Sequence, residues 1–239
     1  MTDLEQARRW IEEARSVAAL TGAGISAESG IPTFRGQGGL WRNFRAEELA
    51  TPDAFAADPK LVWEWYDWRR GIIARAEPNP GHRALARLEG VKEDFTLVTQ
   101  NIDGLHDRAG HARLLKLHGD IWQLRCTLCG ADWQDRRAPL PGLPPRCQCG
   151  GLARPGVVWF GESLPAGIFA GAQQAVSRCE VLLVVGTSAV VHPAATLVPR
   201  ARRGGAKVIE VNVDATAATA IADIALQGPS GEILPSLIP

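Results

Sequence analysis

Residues 17–27 read VAALTGAGISA, an apolar run that passes directly into a glycine-rich turn. Gly22, Gly24 and Ala27 fit the dinucleotide-binding fingerprint, in which small residues after a strand let backbone N–H groups approach a pyrophosphate. Small-residue turns also follow strands for purely structural reasons, so this stretch alone does not define a ligand. A hydride-transferring dehydrogenase would add an acidic residue after a second strand, roughly 20 positions on. Glu47 and Glu48 lie near that distance but follow no apolar strand, which disfavours an ordinary dehydrogenase.

Four more apolar runs of strand length follow along the chain, and each ends in a polar or glycine-containing turn. They are Phe95–Val98, Leu114–Leu117, Val181–Val185 and Val208–Val211, and their turns read TQNID, LHGD, VGTS and VNVD. Helices are predicted over residues 60–76, from residue 82 onward and over residues 194–203. Solid apolar strands that alternate with helices indicate a parallel sheet covered on both faces. Because ligands of doubly wound sheets bind at the carboxyl ends of the strands, we expect the turns to line one cleft.

The totals restrict the class of protein. The chain has 239 residues and a formal net charge of zero, with 26 basic and 26 acidic side chains, and 46% of its residues are hydrophobic. The length fits one full-size domain or one domain with a smaller inserted module, the composition is that of a folded globule, and the neutral charge balance argues against a protein that coats nucleic acid through bulk charge. No apolar run approaches the roughly 18 residues of a membrane span, and the N-terminus lacks the apolar block of a signal peptide. We therefore expect a soluble, cytoplasmic protein.

Four of the five cysteines form two closely spaced pairs. Cys126-x-x-Cys129 is followed, after 17 residues, by Cys147-x-Cys149. Four thiolates on two tight turns can complete a tetrahedral shell around Zn²⁺, which leaves no open position for catalysis. The second turn is one residue shorter than the usual C-x-x-C, and four unmetallated thiols are the alternative. The sequence therefore predicts a structural zinc site.

The motifs follow one another in an informative order. They are GAGISAESGIPTFRG (22–36), TQNIDGLHDRAG (99–110), LHGD (117–120), the four cysteines, RPGVVWFGE (154–162) and VGTS (185–188). This set resembles the sirtuins, the NAD-dependent protein lysine deacylases, from about Leu20 to Pro235. The resemblance implies an α/β fold in which a Rossmann-like doubly wound parallel sheet carries an inserted small zinc-ribbon domain. NAD and an acyl-lysine peptide would meet in the cleft between the two.

The resemblance also implies a division of the chain. Residues 1–119 and 163–239 would form the Rossmann-like NAD-binding domain, and residues 120–162 the small zinc-binding domain. Part of the stretch 34–80 would form a helical insertion at the substrate pocket. The cofactors implied are NAD and Zn²⁺, the latter held by Cys126, Cys129, Cys147 and Cys149.

Contacts with NAD are implied for residues in nearly all of the strand-end turns. They are Gly22, Ala23, Gly24, Ile25, Ser26, Glu28, Phe34, Arg35, Trp41, Gln100, Asn101, Ile102, Asp103, Gly186, Thr187, Ser188, Asn212, Val213, Asp214 and Ser230. Within this set, Asn101 and Asp103 resemble the pair that orients the nicotinamide carboxamide, since an amide and a carboxylate offer it complementary donors and acceptors. Asn101 is thereby a candidate catalytic residue. Ser230 is expected at the adenine end.

His118 is the candidate general base. Histidine titrates near neutral pH and can take a proton from a ribose hydroxyl. The resemblance implies that nicotinamide leaves as the acyl oxygen attacks the ribose, and that the histidine then helps the acyl group pass to the ribose, giving O-acyl-ADP-ribose and free lysine. On the residue alone, a histidine after a strand is more often a structural hydrogen-bonding group.

The acyl-lysine substrate has its own candidate residues. Val157, Phe160, Gly161 and Glu162 resemble the segment that pairs with the substrate peptide strand to strand, a mode that reads backbone and tolerates varied sequences. We therefore expect acyl-lysine proteins or peptides as partners. No membrane and no direct nucleic acid partner is expected.

Tyr66 and Arg69 lie three residues apart on a predicted helix, so both project from one face. They match the Tyr-x-x-Arg pair of the sirtuin branch that removes acidic acyl groups such as succinyl, malonyl and glutaryl. A guanidinium can hold a carboxylate through two parallel hydrogen bonds, and a phenol adds a third donor. The alternative is that Tyr66 packs in the core while Arg69 pairs with Asp67 at the surface. Gln37 departs from the smaller side chain that would leave more acyl room, so deacetylation is expected beside desuccinylation.

Two other functions remain open at this point. A mono-ADP-ribosyltransferase would use the same NAD cleft and zinc module, although His118 and the VVWFGE segment favour deacylation. A zinc ribbon that binds nucleic acid, with the α/β domain as scaffold, would use Arg125, Arg136, Arg137 and Arg146. That module lacks aromatics interleaved with its charges beyond Trp122 and Trp133, so the sequence favours this reading least.

Overall fold

The computed structural model describes residues 1–33, 40, 41 and 44–238, with the backbone alone for residues 40 and 41. In chain order, the strands of this part of the chain are β1 (Ser16–Thr21), β2 (Leu40–Trp41), β3 (Phe44–Arg45), β4 (Asp94–Thr99), β5 (Leu114–Lys116), β6 (Gly119–Cys126), β7 (Asp132–Gln134), β8 (Ala153–Val157), β9 (Val181–Val185), β10 (Lys207–Asn212) and β11 (Ile224–Gln227).

Helices connect most of these strands. In chain order, the α-helices of the described residues are α1 (Asp3–Glu13), α2 (Ala46–Leu49), α3 (Pro52–Ala57), α4 (Pro59–Arg75), α5 (Pro80–Val91), α6 (Leu105–Arg108), α7 (Ala166–Arg178), α8 (Leu197–Arg203) and α9 (Ser230–Leu237). Two short 3-10 helices lie at Ala23–Ser29 and Ala194–Thr196. None of the helices described is long and apolar enough to cross a lipid bilayer.

The main sheet has six parallel strands in the order β11-β10-β9-β1-β4-β5. In the central strand β1, Val17 and Ala19 face one apolar core while Ala18 and Leu20 face another, as the two-residue period of a strand requires. Helices α1, α5 and α9 cover the first face, and α7 and α8 cover the second. The prediction of a parallel sheet buried on both faces is therefore confirmed.

A second, antiparallel sheet has three strands in the order β7-β6-β8, with Cys126 at the end of β6 and Cys129 in the turn that leads to β7. Its apolar face joins α3 and α4 in a separate core that includes Trp63, Tyr66, Trp122 and Trp159. The indole N–H of Trp63 donates to the carbonyl oxygen of Ala153 at 2.7 Å, which ties α4 to β8. The helical segment 46–75 thus packs against the small sheet.

Local capping explains where the aromatic helix begins. The Asp58 side chain accepts from the backbone N–H of Leu61 at 2.9 Å, and Pro59 occupies the first helical turn, where its missing N–H has no cost. Helix α4 therefore begins one residue before the predicted range 60–76 and ends one residue before its end. The strand predicted at Leu114–Leu117 ends at Lys116, and Gly119 already belongs to β6.

Two strand-end turns touch each other through their glycines. The N–H of Gly24 donates to the carbonyl oxygen of Gly186 at 2.8 Å, and the N–H of Gly22 to that of Val185 at 3.1 Å. A Cβ at Gly186 would lie 2.3 Å from the backbone nitrogen of Ile25, and Gly186 also has a φ of +57°. The close approach of β1 and β9 at their carboxyl ends therefore requires glycine.

We expect Gly186→Ala to lower the free energy of unfolding by about 2–5 kcal/mol, because the new methyl group adds a backbone conflict to an unfavourable φ. Gly205→Ala is the matched control, since Gly205 has a φ of +89° and open space where a Cβ would lie. The control should lose only about 1 kcal/mol in urea denaturation. Equal losses for the two variants would show that the contact between the turns contributes nothing.

Candidate active site

The carboxyl ends of the parallel strands open into a cavity of about 750 Å³ between the two sheets. This volume is in the range of cofactor and ligand sites. The candidate residues that line it are Gly22, Ala23, Gly24, Tyr66, Gln100, Asn101, Ile102, His118, Val157, Phe160, Gly161, Glu162, Gly186, Thr187, Ser188, Asn212, Val213 and Asp214. The expectation that separate strand-end turns share one cleft therefore agrees with the structure.

A buried polar group stands behind Asn101. The Asn101 amide donates to the carbonyl oxygen of Gly22 at 3.0 Å and to the Ser26 hydroxyl at 3.2 Å. Ser26 in turn donates to a carboxylate oxygen of Asp103 at 2.8 Å, and burial raises the pKa of Asp103. Asn101 lines the cavity while Ser26 and Asp103 do not. Ser26, which is itself held by Asp103, thus fixes the orientation of the Asn101 side chain from outside the cavity.

His118 lies on the cavity wall with one ring nitrogen already engaged. Its Nδ1 lies 2.9 Å from the carbonyl oxygen of Gln100, and because a carbonyl only accepts, Nδ1 must carry the proton. In the neutral ring, Nε2 is then the acceptor. Burial lowers the pKa of His118 below its ordinary value, which keeps the ring neutral at pH 7. The arrangement therefore supplies a base that can accept a proton.

The turns after β9 and β10 form the other end of the cavity. The Asn212 amide donates to the carbonyl oxygen of Thr187 at 3.0 Å, and the Gln100 amide donates to the Thr187 hydroxyl at 2.9 Å. These bonds join the turns after β4, β9 and β10 into one polar wall. Such a wall offers hydroxyl and amide groups to a sugar or a base.

Several candidate residues lie elsewhere. Ile25 is fully buried, and it, Ser26, Glu28, Asp103 and Ser230 do not line the cavity. The Ser230 hydroxyl instead donates to Glu28 at 3.0 Å, where α9 meets the first 3-10 helix. Candidates outside the described residues are Phe34, Arg35, Gln37 and the side chain of Trp41.

Tyr66 and Arg69 project from one face of α4, and neither is at the surface. Tyr66 is 1% exposed and Arg69 is 8% exposed. Burial raises the pKa of Tyr66 and lowers that of Arg69, and the two groups also interact electrostatically. The Asp67 carboxylate accepts from the backbone N–H of Leu140 at 2.8 Å. Arg69 therefore does not lie at the surface, where the alternative with an acid such as Asp67 places it, whereas Tyr66 does belong to the buried core, as that alternative also expects.

Some cavity residues were not singled out from the sequence. They are Thr33, Glu47, Ala50, Val158, Trp159, Leu164, Val190, Val191, His192, Pro193, Ala215, Thr216 and Ala217. Most are small or apolar side chains, which carry no chemical signal in a sequence. Val158 and Trp159 are different, because both lie within the segment from Val157 to Glu162 that resembles the peptide-pairing stretch, and the Trp159 indole donates to the Tyr66 hydroxyl.

The four predicted zinc ligands converge at the end of the small sheet. The Sγ atoms of Cys126, Cys129, Cys147 and Cys149 all lie within 4.8 Å of one another. Tetrahedral ligands with Zn–S bonds of about 2.3 Å have sulfur atoms about 3.8 Å apart, so the set fits a zinc ion. The shorter Cys147-x-Cys149 turn closes through a bond from the N–H of Gly150 to the carbonyl oxygen of Cys147 at 2.9 Å.

Comparisons with known proteins agree with this geometry. Residues 22–193 match the family model described as the Sir2 family. The chain is 56% identical to an NAD-dependent protein deacylase of Aquifex aeolicus, over 87% of this chain and 88% of the relative. It is 52% identical to NAD-dependent protein deacylase 2 of Pyrobaculum aerophilum, over 95% and 92% of the two chains. The crystal structure of a Sir2 homologue with NAD superposes with a TM-score of 0.92 at 49% identity, covering 98% of this chain and 91% of that one.

The site and the fold thus define a Sir2-type protein with a Rossmann-like domain and a four-cysteine cluster suited to zinc. The chain belongs to the Sir2 family. The family and the fold class predicted from the motifs are confirmed.

Removal of zinc by a strong chelator should lower the melting temperature and release about one zinc ion per chain, because a structural site contributes its binding free energy to folding. Zinc release can be followed with a chromogenic reporter beside the melting curve. Addition of Zn²⁺, but not of Mg²⁺, should restore the original curve. An unchanged melting curve in a verified metal-free sample would contradict a structural role for the four cysteines.

Proposed function

We propose that this chain is an NAD-dependent protein lysine deacylase that prefers acyl groups ending in a carboxylate, such as succinyl and malonyl. Its Sir2-family membership and its curated relatives, which are named NAD-dependent protein deacylases, support the general activity. The observation that carries the preference is Tyr66 on the cavity wall, with Arg69 buried one turn further along the same face of α4. A guanidinium and a phenol on one helix face can together hold a carboxylate.

The family's cofactor NAD, when bound, supplies the ADP-ribose that receives the acyl group. The glycine turn at Gly22–Gly24 and the wall of Thr187 and Asn212 would hold it, since both line the cavity. Asn101 is oriented from beneath by Ser26 and can present its amide to the nicotinamide end. His118 would accept a proton at Nε2 from a ribose hydroxyl, because its Nδ1 proton is committed to Gln100.

The acyl pocket combines a neutral phenol with a guanidinium. Burial raises the pKa of Tyr66, so the phenol keeps its proton and can donate it. Arg69 stays charged because the pKa of a guanidinium begins far above neutral pH. Hydrogen bonds to a charged group contribute about 1.5–3 kcal/mol each, so an acyl chain that ends in a carboxylate would bind more tightly than one that ends in a methyl group.

The alternative, a mono-ADP-ribosyltransferase, would need neither the base nor the acyl pocket. Both His118 and Tyr66 line the cavity, which favours deacylation. Deacetylation is proposed as a second, weaker activity, because an acetyl group can enter the same pocket without contacting the Arg69 guanidinium or the Tyr66 hydroxyl.

We also propose the division of the chain into residues 1–119 with 163–239 and a zinc-binding unit at 120–162. The antiparallel sheet β7-β6-β8 and the four cysteines support it, because all of them except Gly119 lie within 120–162. Segment 157–162 would bind the peptide of an acyl-lysine protein, as a solved Sir2 complex holds a p53 peptide with NAD at 32% identity and a TM-score of 0.87. A cytoplasmic location and the lack of a nucleic acid partner stay predictions.

His118→Ala should reduce kcat/KM for deacylation by at least about 100-fold, since general bases contribute factors of this size. NAD binding measured by calorimetry should persist. In the wild type, kcat/KM should be level above about pH 6.5 and fall at lower pH, because a base with a lowered pKa loses function only when it is protonated. A variant that no longer folds, or an acid limb of the profile with its midpoint above the ordinary histidine pKa of about 6.5, would contradict this role.

Arg69→Met should lower kcat/KM for a succinyl-lysine peptide by roughly 10- to 100-fold, because one charged pair of hydrogen bonds is lost. Turnover of the matched acetyl-lysine peptide should change little. Arg75→Met, at the exposed end of the same helix, is the control and should leave the ratio unchanged. Equal losses of kcat/KM on both peptides in Arg69→Met would mean that Tyr66 and Arg69 serve only the packing of the helix.

A further inference from the structure

Trp159 connects the peptide segment to the acyl pocket. It is 3% exposed and lies on the cavity wall, in the segment that follows β8. Its indole Nε1–H donates a hydrogen bond of 2.9 Å to the hydroxyl oxygen of Tyr66, a residue 93 positions earlier in the chain. The contact therefore joins two elements that come together only in the folded protein.

The indole of Trp159 is held on several sides. The guanidinium of Arg154 lies 3.5 Å from its ring centroid, and the ring of Phe55 lies 5.2 Å away. The backbone N–H of Trp159 donates to Glu162 at 2.8 Å, and Glu162 accepts two hydrogen bonds from Arg154 at 2.6 and 2.8 Å. Because ring and backbone are both fixed, the indole N–H keeps one direction.

The bond from Trp159 determines the direction in which the Tyr66 hydroxyl can donate its proton. A phenol oxygen carries one proton and accepts through its lone pairs, and the proton prefers one of two directions in the ring plane. The Trp159 N–H is received by a lone pair of the phenol oxygen, so the phenol proton must turn away from the indole. No acceptor for that proton is found among the residues that the structure describes. The indole bond also polarises the phenol, which makes its O–H a stronger donor.

We propose that Trp159 is a positioning residue for acidic acyl groups: its indole N–H fixes the Tyr66 hydroxyl so that the phenol proton points at the acyl carboxylate. The proposal rests on the proposed function, because it needs a carboxylate beside Tyr66 and Arg69. It adds a third residue to the specificity of the pocket, one that acts through Tyr66 and not by contact with the acyl group. It also makes the peptide segment part of the acyl clamp, since Arg154 and Glu162 hold the same indole.

Trp159→Phe tests this directly, because it keeps an aromatic ring beside Arg154 and removes the N–H donor. The ratio of kcat/KM for succinyl-lysine to that for acetyl-lysine should fall about tenfold, the size of one lost hydrogen bond to a charged system. The fall should come with a raised KM for the succinyl peptide; any loss of peptide binding that Trp159→Phe causes would affect both peptides and cancel in the ratio. Trp133→Phe is the matched control, since Trp133 packs against the same apolar core from β7 but does not line the cavity.

A double-mutant cycle separates positioning from packing. In a Tyr66→Phe background, Trp159→Phe should no longer change the ratio, because there is no hydroxyl left to orient. An equal fall in both backgrounds, or an unchanged ratio in the single variant, would overturn the proposal. If Trp159→Phe does not fold, β-(3-benzothienyl)alanine at position 159 replaces the N–H by sulfur at nearly constant shape, with the same expected result.

The outcomes also distinguish this proposal from the proposed function. A wild-type enzyme that prefers succinyl-lysine, with a ratio insensitive to Trp159→Phe, would overturn the role of Trp159 alone. A wild-type enzyme that deacylates without any succinyl preference would overturn both the acidic-acyl assignment and the role of Trp159. A fall in the succinyl-to-acetyl ratio of kcat/KM in Trp159→Phe but not in Trp133→Phe would support both.

Discussion

The backbone contact between Gly24 and Gly186 constrains the architecture of the site more than any other. With the Gly24 N–H 2.8 Å from the Gly186 carbonyl oxygen, no side chain fits between the turns after β1 and β9. The two turns therefore form one continuous floor, and the neighbouring turns are fastened to it by side chains. The Asn101 amide reaches the carbonyl oxygen of Gly22, and the Asn212 amide reaches that of Thr187. The polar groups of four strands thus face one cavity because their backbones are held in contact.

The opposite wall of the cavity depends on a different kind of contact. Helix α4 brings Tyr66 to the cavity wall and holds Arg69 one turn further along, and indole N–H groups attach this helix to the segment around β8. Trp63 donates to Ala153, and Trp159 donates to Tyr66, so this wall is built where helix and small sheet meet. The strand-end turns and this wall are consequently supported by separate apolar cores.

The sequence predicted those features of the fold and of the site that have a local signal in the chain. Buried parallel strands read as unbroken apolar runs, and Val181–Val185 was predicted with both ends correct. The spacing of the four cysteines predicted their cluster in the same way. The bond between Trp159 and Tyr66 has no such signal, because nothing in either segment specifies a partner 93 residues away. The position of Ser230 against Glu28 was missed for the same reason, since it depends on how α9 packs on the first 3-10 helix.

The central claim, that the acyl group is transferred from lysine to the ADP-ribose of NAD, is tested most directly by the products of one reaction. The protein, NAD and a succinyl-lysine peptide would be incubated together, and the products would be identified and quantified by mass spectrometry. We expect nicotinamide, the free-lysine peptide and O-succinyl-ADP-ribose in equal amounts. A peptide that keeps its succinyl group and gains ADP-ribose would contradict it and would assign the cavity to a mono-ADP-ribosyltransferase.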